Sequence, residues 1–231
     1  MLNVKNLSFA YGSVQAVREV NMEVPQGKIV CVMGRNGVGK STLMNNIVGL
    51  LKPSSGSITL HGKELIKLPA YRRSRAGLAY VPQGRMIFPR LTVQENLEVG
   101  LAARTDGLKQ VPRQVYELFP VLDEMSGRKG GDLSGGQQQQ LAIGRALVTD
   151  PDLLILDEPT EGIQPNIIRQ IGAVLNKLVD EIGLTVLIVE QYLDFAREFS
   201  HQFYVMDRGS LVVAGDTKDL RDDIIKDYLS V

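Results

Sequence analysis

The apolar positions of this chain follow two rhythms. Over residues 1–30, "LNVKNLSFAY" and "VQAVREVNMEV" alternate apolar and polar side chains, the period of half-buried antiparallel strands. "KIVCVMG" at 28–34 is instead a continuous apolar run closed by glycine, which predicts a central parallel strand covered on both faces. A helix is predicted from about Lys40 to just before "KPSSG" at 52–56, a loop signal. "GSITLHG" and "GLAYVPQ" read as further strands, and residues 84–150 as mostly helical, with breaks at 105–107 and 127–132. Strands and helices then alternate: "LLILD", a helix from Pro165, "TVLIVE", a helix from about Gln191, "QFYVMD" and "SLVVAGD". The pattern predicts an α/β fold with a parallel-sheet core, a β-rich N-terminal flank and an inserted helical section.

Composition narrows the class. A chain of 231 residues, 44% hydrophobic and 23% charged, is globular in character and long enough for one large domain. Lys+Arg and Asp+Glu both number 26, so no basic excess points to nucleic acid, and none is expected as a partner. Cys31 is the one cysteine and lies inside an apolar run, which reads as a small buried strand residue. The opening "MLNVKNLSFAYG" lacks the layout of a secretory signal, and no apolar run approaches the ~18 residues of a membrane span. The expectation is a soluble cytoplasmic chain.

Candidate chemistry begins at residues 34–41. Gly34, Arg35, Asn36, Gly37, Val38, Gly39, Lys40 and Ser41 fit G-x-x-x-x-G-K-[ST], between a predicted strand and a predicted helix. Glycines let backbone N–H groups curl around an anion, and the helix offers its positive end to phosphates. Lys40 is placed to reach β- and γ-phosphates, Ser41 to ligate Mg²⁺, and Thr42 to cap the helix or touch the α-phosphate. "LLILDEP" at 153–159 supplies a second buried strand with Asp157 at its C-terminal end, where a carboxylate can hold Mg²⁺ through water. Glu158 is the candidate to orient the attacking water or accept its proton. Two adjacent acids at a strand end are otherwise a solvated turn.

Leu133, Ser134, Gly135, Gly136 and Gln137, "LSGGQ", head a predicted helix about 20 residues before Asp157. That gives one chain two phosphate cradles, which head-to-tail packing of two copies would bring onto one nucleotide. At this point the sequence resembles the ATP-binding subunits of ABC transporters over nearly its whole length. The resemblance implies a P-loop NTPase (RecA-like) core at 1–83 and 151–231, an N-terminal antiparallel β sub-domain within it, and a helical sub-domain at about 84–150, all in one ABC ATPase domain. It implies ATP and Mg²⁺ as ligands. It also implies that Tyr11, which by itself reads as a core tyrosine, stacks on adenine, and that Gln83 contacts Mg²⁺ and water. The segment at 84–96, "GRMIFPRLTVQEN", matches the surface that receives a membrane subunit; Met86, Ile87 and Phe88 suit docking or core packing equally well.

Two positions depart from the family pattern. Gln164, in "PTEGIQP", stands where the family commonly has an aspartate. Gln191, at the end of "TVLIVEQ", stands where it commonly has a histidine facing the γ-phosphate. Glutamine can donate a hydrogen bond there but cannot become cationic or carry a proton. Either it performs the same contact, or the chain binds ATP but hydrolyses it slowly at its own loop, beside an unlike partner that carries the histidine. The two histidines, His61 and His201, occupy unrelated positions and are expected at the surface. These departures resemble importers of the branched-chain amino-acid type, and "LSGGQQQQLAIGRAL" with "EPTEGIQPNII" resembles their urea and short-chain amide branch. The expected assembly is a second, unlike ATPase subunit (a homodimer in its absence), two membrane-spanning permease subunits and, indirectly, a solute-binding protein. The chain would lie on the inner face of the membrane. A non-transport ABC ATPase acting on nucleic acid or the ribosome is the competing reading; a P-loop kinase would leave LSGGQ and Gln83 without a purpose.

Overall fold

A computed structural model describes residues 1–220 and 228. In chain order the elements are strands β1 (Leu2–Tyr11), β2 (Val14–Val24) and β3 (Ile29–Met33), helix α1 (Lys40–Val48), strands β4 (Ser55–Leu60) and β5 (Lys63–Glu64), helix α2 (Ala70–Arg75) and strand β6 (Leu78–Val81). Four helices follow, α3 (Val93–Val99), α4 (Arg113–Leu118), α5 (Pro120–Glu124) and α6 (Gly135–Val148). Then come β7 (Leu153–Asp157), α7 (Pro165–Ile182), β8 (Thr185–Glu190), α8 (Leu193–Phe199), β9 (Gln202–Asp207) and β10 (Ser210–Asp216). One sheet has the order β2-β1-β4-β5 and is antiparallel; the other has the order β10-β9-β3-β8-β7-β6 and is parallel apart from β10.

The continuous apolar runs become the buried centre of the parallel sheet. Every residue of β3, β7 and β8 is buried, as expected for strands covered on both faces. Alternation within β3 divides the core in two. Ile29, Cys31 and Met33 face the side packed by α6, α7 and α8, while Val30 and Val32 face α1 and the antiparallel sheet. Register then lines up the strand ends: Met33 pairs with Glu190, Asp157 with Val189 and Val81 with Leu156. The segments leaving β3, β8, β7 and β6 therefore emerge along one edge, where ligands bind in open α/β sheets.

Three local readings differ. α2 has no counterpart in the sequence pattern; its six residues are polar or charged apart from Ala70 and Tyr71, and Arg73 fixes it in place. The helix after β8 begins at Leu193 because the Glu190 carboxylate takes the N–H groups of Gln191 and Tyr192 and holds that turn extended. His201 is half-buried, and its Nδ1 accepts the Ile29 N–H at 3.1 Å, so it secures the start of β3 rather than the surface. Burial pushes its pKa down.

Candidate nucleotide site

The loop between β3 and α1 is shaped by what its glycines omit. A Cβ on Gly34 would lie 2.4 Å from the Met206 carbonyl oxygen, and one on Gly39, at φ 113°, would lie 2.4 Å from that of Ala16. Only glycine allows so close an approach and that left-handed turn together. Gly39 is also the N-cap of α1 and supplies no side chain to it, which leaves the first-turn N–H groups free for an anion. Lys40 is buried, and its Nζ donates to the carbonyls of Gly34 at 2.8 Å and Arg35 at 2.9 Å. The loop is thus closed around its own lysine. Burial lowers the Lys40 pKa, and the nearby Glu158 carboxylate, 3.8 Å away, raises it again.

Asp157 and Glu158 arrive from the end of β7. Asp157 is buried; its Oδ1 accepts the Ser41 hydroxyl and its Oδ2 the Tyr80 hydroxyl, both at 3.3 Å. Burial pushes its carboxyl upward while these hydrogen bonds pull it back. Ser41 and Asp157 form a pair of hard oxygen donors beside the phosphate cradle, a set suited to Mg²⁺ completed by phosphate and water. Glu158 has a left-handed backbone, φ 49°, uncommon without glycine and worth about 1–3 kcal/mol of strain. Its carboxyl is also raised by burial, against the pull of Lys40. Gln83, just beyond β6, donates to Glu158 Oε2 at 3.1 Å and to Glu161 Oε2 at 3.0 Å.

Two cavities meet at this edge. One, of about 500 Å³, is lined by Tyr11, Asn36, Gly37, Gly39, Lys40, Ser41, Thr42, Gln83, Glu158 and Gln191. The other, of about 730 Å³, extends past Gly34 and Arg35 to Ile163, Ile168 and Tyr192. Asn36, Glu158, Glu161 and Gln191 line both. Gln191 is exposed there rather than packed away as a strand terminator. Tyr11 is 52% exposed and supported edge-on by Phe9 at 4.8 Å, so it is a presented aromatic face and not a core tyrosine. Val38 packs against the second core and supports the loop from below.

Ser134, Gly135, Gly136 and Gln137 line neither cavity. They open α6, where Ser134 Oγ accepts the Gln137 N–H and Gln137 Oε1 accepts the Ser134 N–H in a capping box. That cap leaves the N–H groups of Gly135 and Gly136 unclaimed by side chains, at a helix start away from the first cradle. Gln164 is exposed and is the N-cap of α7, with no side-chain hydrogen bond to it. In the segment after β6, Arg85 and Met86 both have left-handed backbones, at φ 68° and 44°, and Met86 and Phe88 are 68% and 45% exposed. Arg145 of α6 holds this turn by donating to the Met86 carbonyl at 2.7 Å and lying over the Phe88 ring. Sequence reasoning passed over Tyr80, Glu161, Arg145 and Glu190. Glu190 had a visible signal, an acid closing an apolar strand, and Glu161 sits three residues after Glu158 and lines both cavities; Tyr80 and Arg145 touch the site only through pairings distant in sequence.

Comparison with known proteins identifies the family. Residues 17–161 match the family described as ABC transporter. The chain is 44% identical over 214 residues to the high-affinity branched-chain amino acid transport ATP-binding protein BraG of Pseudomonas aeruginosa, covering 92% of this chain and 91% of that protein. It is 37% identical to the probable branched-chain amino acid transport ATP-binding protein LivF of Archaeoglobus fulgidus, covering 95% and 94%. The dimeric post-hydrolysis structure of the ATP-binding cassette MJ0796, bound to ADP and Pi, superposes with a TM-score of 0.85 at 27% identity, over 95% of this chain and 100% of that one. With the phosphate loop, the acid pair and the capped signature helix on one cassette fold, the chain belongs to the ABC transporter family and is an ATP-binding cassette ATPase.

Proposed function

We propose that this chain is one of two ATPase subunits energising uptake of branched-chain amino acids, and that it binds ATP and Mg²⁺ between its own phosphate loop and the LSGGQ helix of a second subunit. The observation that supports this most is the separation of the two cradles: the 34–42 loop, apart from Val38, lines the two adjoining cavities, and residues 134–137 line neither. One chain then offers half of each of two sites, and head-to-tail pairing completes both.

In this reading Tyr11 stacks on adenine and the first turn of α1 receives the phosphates. Lys40 exchanges its bonds to the Gly34 and Arg35 carbonyls for phosphate oxygens. Ser41, Asp157 and Gln83 would hold Mg²⁺, and the ion when bound would supply charge neutralisation at the phosphates. Glu158 orients the attacking water and accepts its proton, steadied by Gln83. Gln191 reaches the γ-phosphate with a neutral amide that cannot carry a proton, so this subunit's own site is slow and its LSGGQ serves a faster site on an unlike partner. The exposed turn of Met86 and Phe88 receives a permease subunit on the inner face of the membrane. No helix among the described residues is long and apolar enough to cross one itself.

The names carried by relatives support branched-chain amino acids over the urea and short-chain amide cargo suggested by the residues flanking LSGGQ and Glu158. Reconstitution in vesicles with the permease and solute-binding protein tests the cargo. Leucine, isoleucine or valine should stimulate ATP hydrolysis, and stimulation by urea or acetamide alone would replace this assignment. Assay of the purified chain before and after Gln191→His tests the slow site. Turnover of about 1–100 s⁻¹ without any gain from histidine would refute it.

A further inference from the structure

The exit of β8 carries an ionisable group with no part in the chemistry above. Glu190 is 1% exposed, yet its carboxylate is saturated with donors. One oxygen, Oε1, accepts the Thr160 N–H at 3.0 Å and the Thr160 hydroxyl at 2.8 Å. The other, Oε2, accepts the N–H groups of Gln191 at 3.1 Å and Tyr192 at 3.2 Å. Thr160 lies two residues beyond Glu158, on the loop that also carries Glu161. We propose that Glu190 is a positioning residue for ATP hydrolysis, clamping the loop that bears Glu158 to the turn that bears Gln191 and so fixing the two sides of the γ-phosphate end relative to each other. This rests on the assignment of Glu158 and Gln191 to that end of the site.

Three physical points favour a positioning role over simple packing. A buried carboxylate satisfied only by neutral donors gives up the hydration of its charge, whereas an apolar residue would fill the same space without that loss. Only a carboxylate accepts at both oxygens; an amide of the same shape accepts at one and presents donors at the other. The clamp also adjoins a strained backbone: Glu158 holds its left-handed conformation two residues before Thr160, and its N–H donates to the Val189 carbonyl at 2.9 Å. Such strain persists where surrounding contacts over-determine it, and Glu190 supplies the side-chain part of that constraint.

The test compares Glu190→Gln, Thr160→Val and Thr160→Ser in the full chain, with Glu158→Gln as a control. Single-turnover hydrolysis keeps a slow rate measurable; affinity for a fluorescent ATP analogue and amide hydrogen exchange are read alongside. Glu190→Gln should slow the chemical step at least tenfold with nucleotide affinity within threefold. It should also speed exchange at the amides of Thr160, Gln191 and Tyr192 while the first turn of α1 stays protected. Thr160→Val, which loses only the hydroxyl, should slow the step about threefold to tenfold, and Thr160→Ser should restore at least half of that loss. A rate within twofold of wild type for Glu190→Gln overturns the proposal. So does a parallel loss of nucleotide affinity, or failure of Glu190→Gln to fold with Thr160→Val unaffected, since each makes Glu190 a packing residue. If Glu158→Gln leaves the rate unchanged, it is the assignment of the site that fails and not the clamp.

Discussion

Removing the Arg73 guanidinium should destabilise the helix that carries the phosphate loop. Arg73 is 2% exposed, and its fork reaches four backbone carbonyls: Asn46 and Ile47, both at 2.7 Å, Leu68 at 2.9 Å and Ile66 at 3.1 Å. Asn46 and Ile47 belong to the last turn of α1, whose carbonyls lack partners within the helix. Burial lowers the Arg73 pKa, but from so high a value that the group stays charged. Hydrogen bonds to a charged donor contribute about 1.5–3 kcal/mol each, a gross ceiling of roughly 6–12 kcal/mol for four. Several kcal/mol of that offset the desolvation of the ion. Arg73→Ala removes the ion together with its desolvation and leaves these carbonyls short of donors, so it should cost about 3–5 kcal/mol, toward the upper end for a single substitution. Urea unfolding should show a lower midpoint with an unchanged slope, and the melting temperature should fall by roughly 6–20 °C for a chain of this size. Arg73→Lys, a point charge without the planar fork, should recover about half. A loss below about 1 kcal/mol in Arg73→Ala, with the slope unchanged, would show that water satisfies these carbonyls as well and would refute the reasoning.

Four further outcomes are expected. Glu158→Gln should lower turnover by about a hundredfold or more while retaining nucleotide affinity, measured by phosphate release beside fluorescent-ATP binding. Because burial raises the Glu158 carboxyl and the proposed mechanism uses its ionised form, wild-type turnover should fall with acidification at a higher pH than an ordinary glutamate would give, and a pH–rate profile checks this. Asp157 is likewise raised in the fold, so its ionised form is disfavoured there and stability falls as pH rises through the interval between its unfolded and folded pKa values. Asp157→Asn should accordingly raise the melting temperature of the nucleotide-free chain at pH 7, and adding Mg²⁺ to ATP should stabilise this variant no more than ATP alone, whereas it should stabilise the wild type further. Tyr80→Phe removes one of the two hydroxyls that orient Asp157 and should weaken Mg²⁺-dependent nucleotide binding by about tenfold, read by Mg²⁺ titration.

What the sequence determined by itself is local in the chain. Residues 34–42 form their cradle from consecutive backbone, so its glycines, lysine and helix start are legible as a string, and the same holds for the capping box of Ser134 and Gln137. The apolar runs of β3, β7 and β8 are legible because strands buried on both faces need no alternation. Tertiary structure decided the rest. The pairing of Asp157 with Val189 and of Met33 with Glu190 brings Glu158, Gln191 and the phosphate loop to one edge, and no periodicity encodes that register. Register also lets Glu190 reach Thr160, 30 residues earlier, and lets Gln83 join Glu158 and Glu161. The exposure of Tyr11 and Gln191 and the burial of Glu190 follow the same rule. A side chain's type is written in the sequence, but its environment depends on elements far along the chain, whose packing sets both its exposure and its pKa.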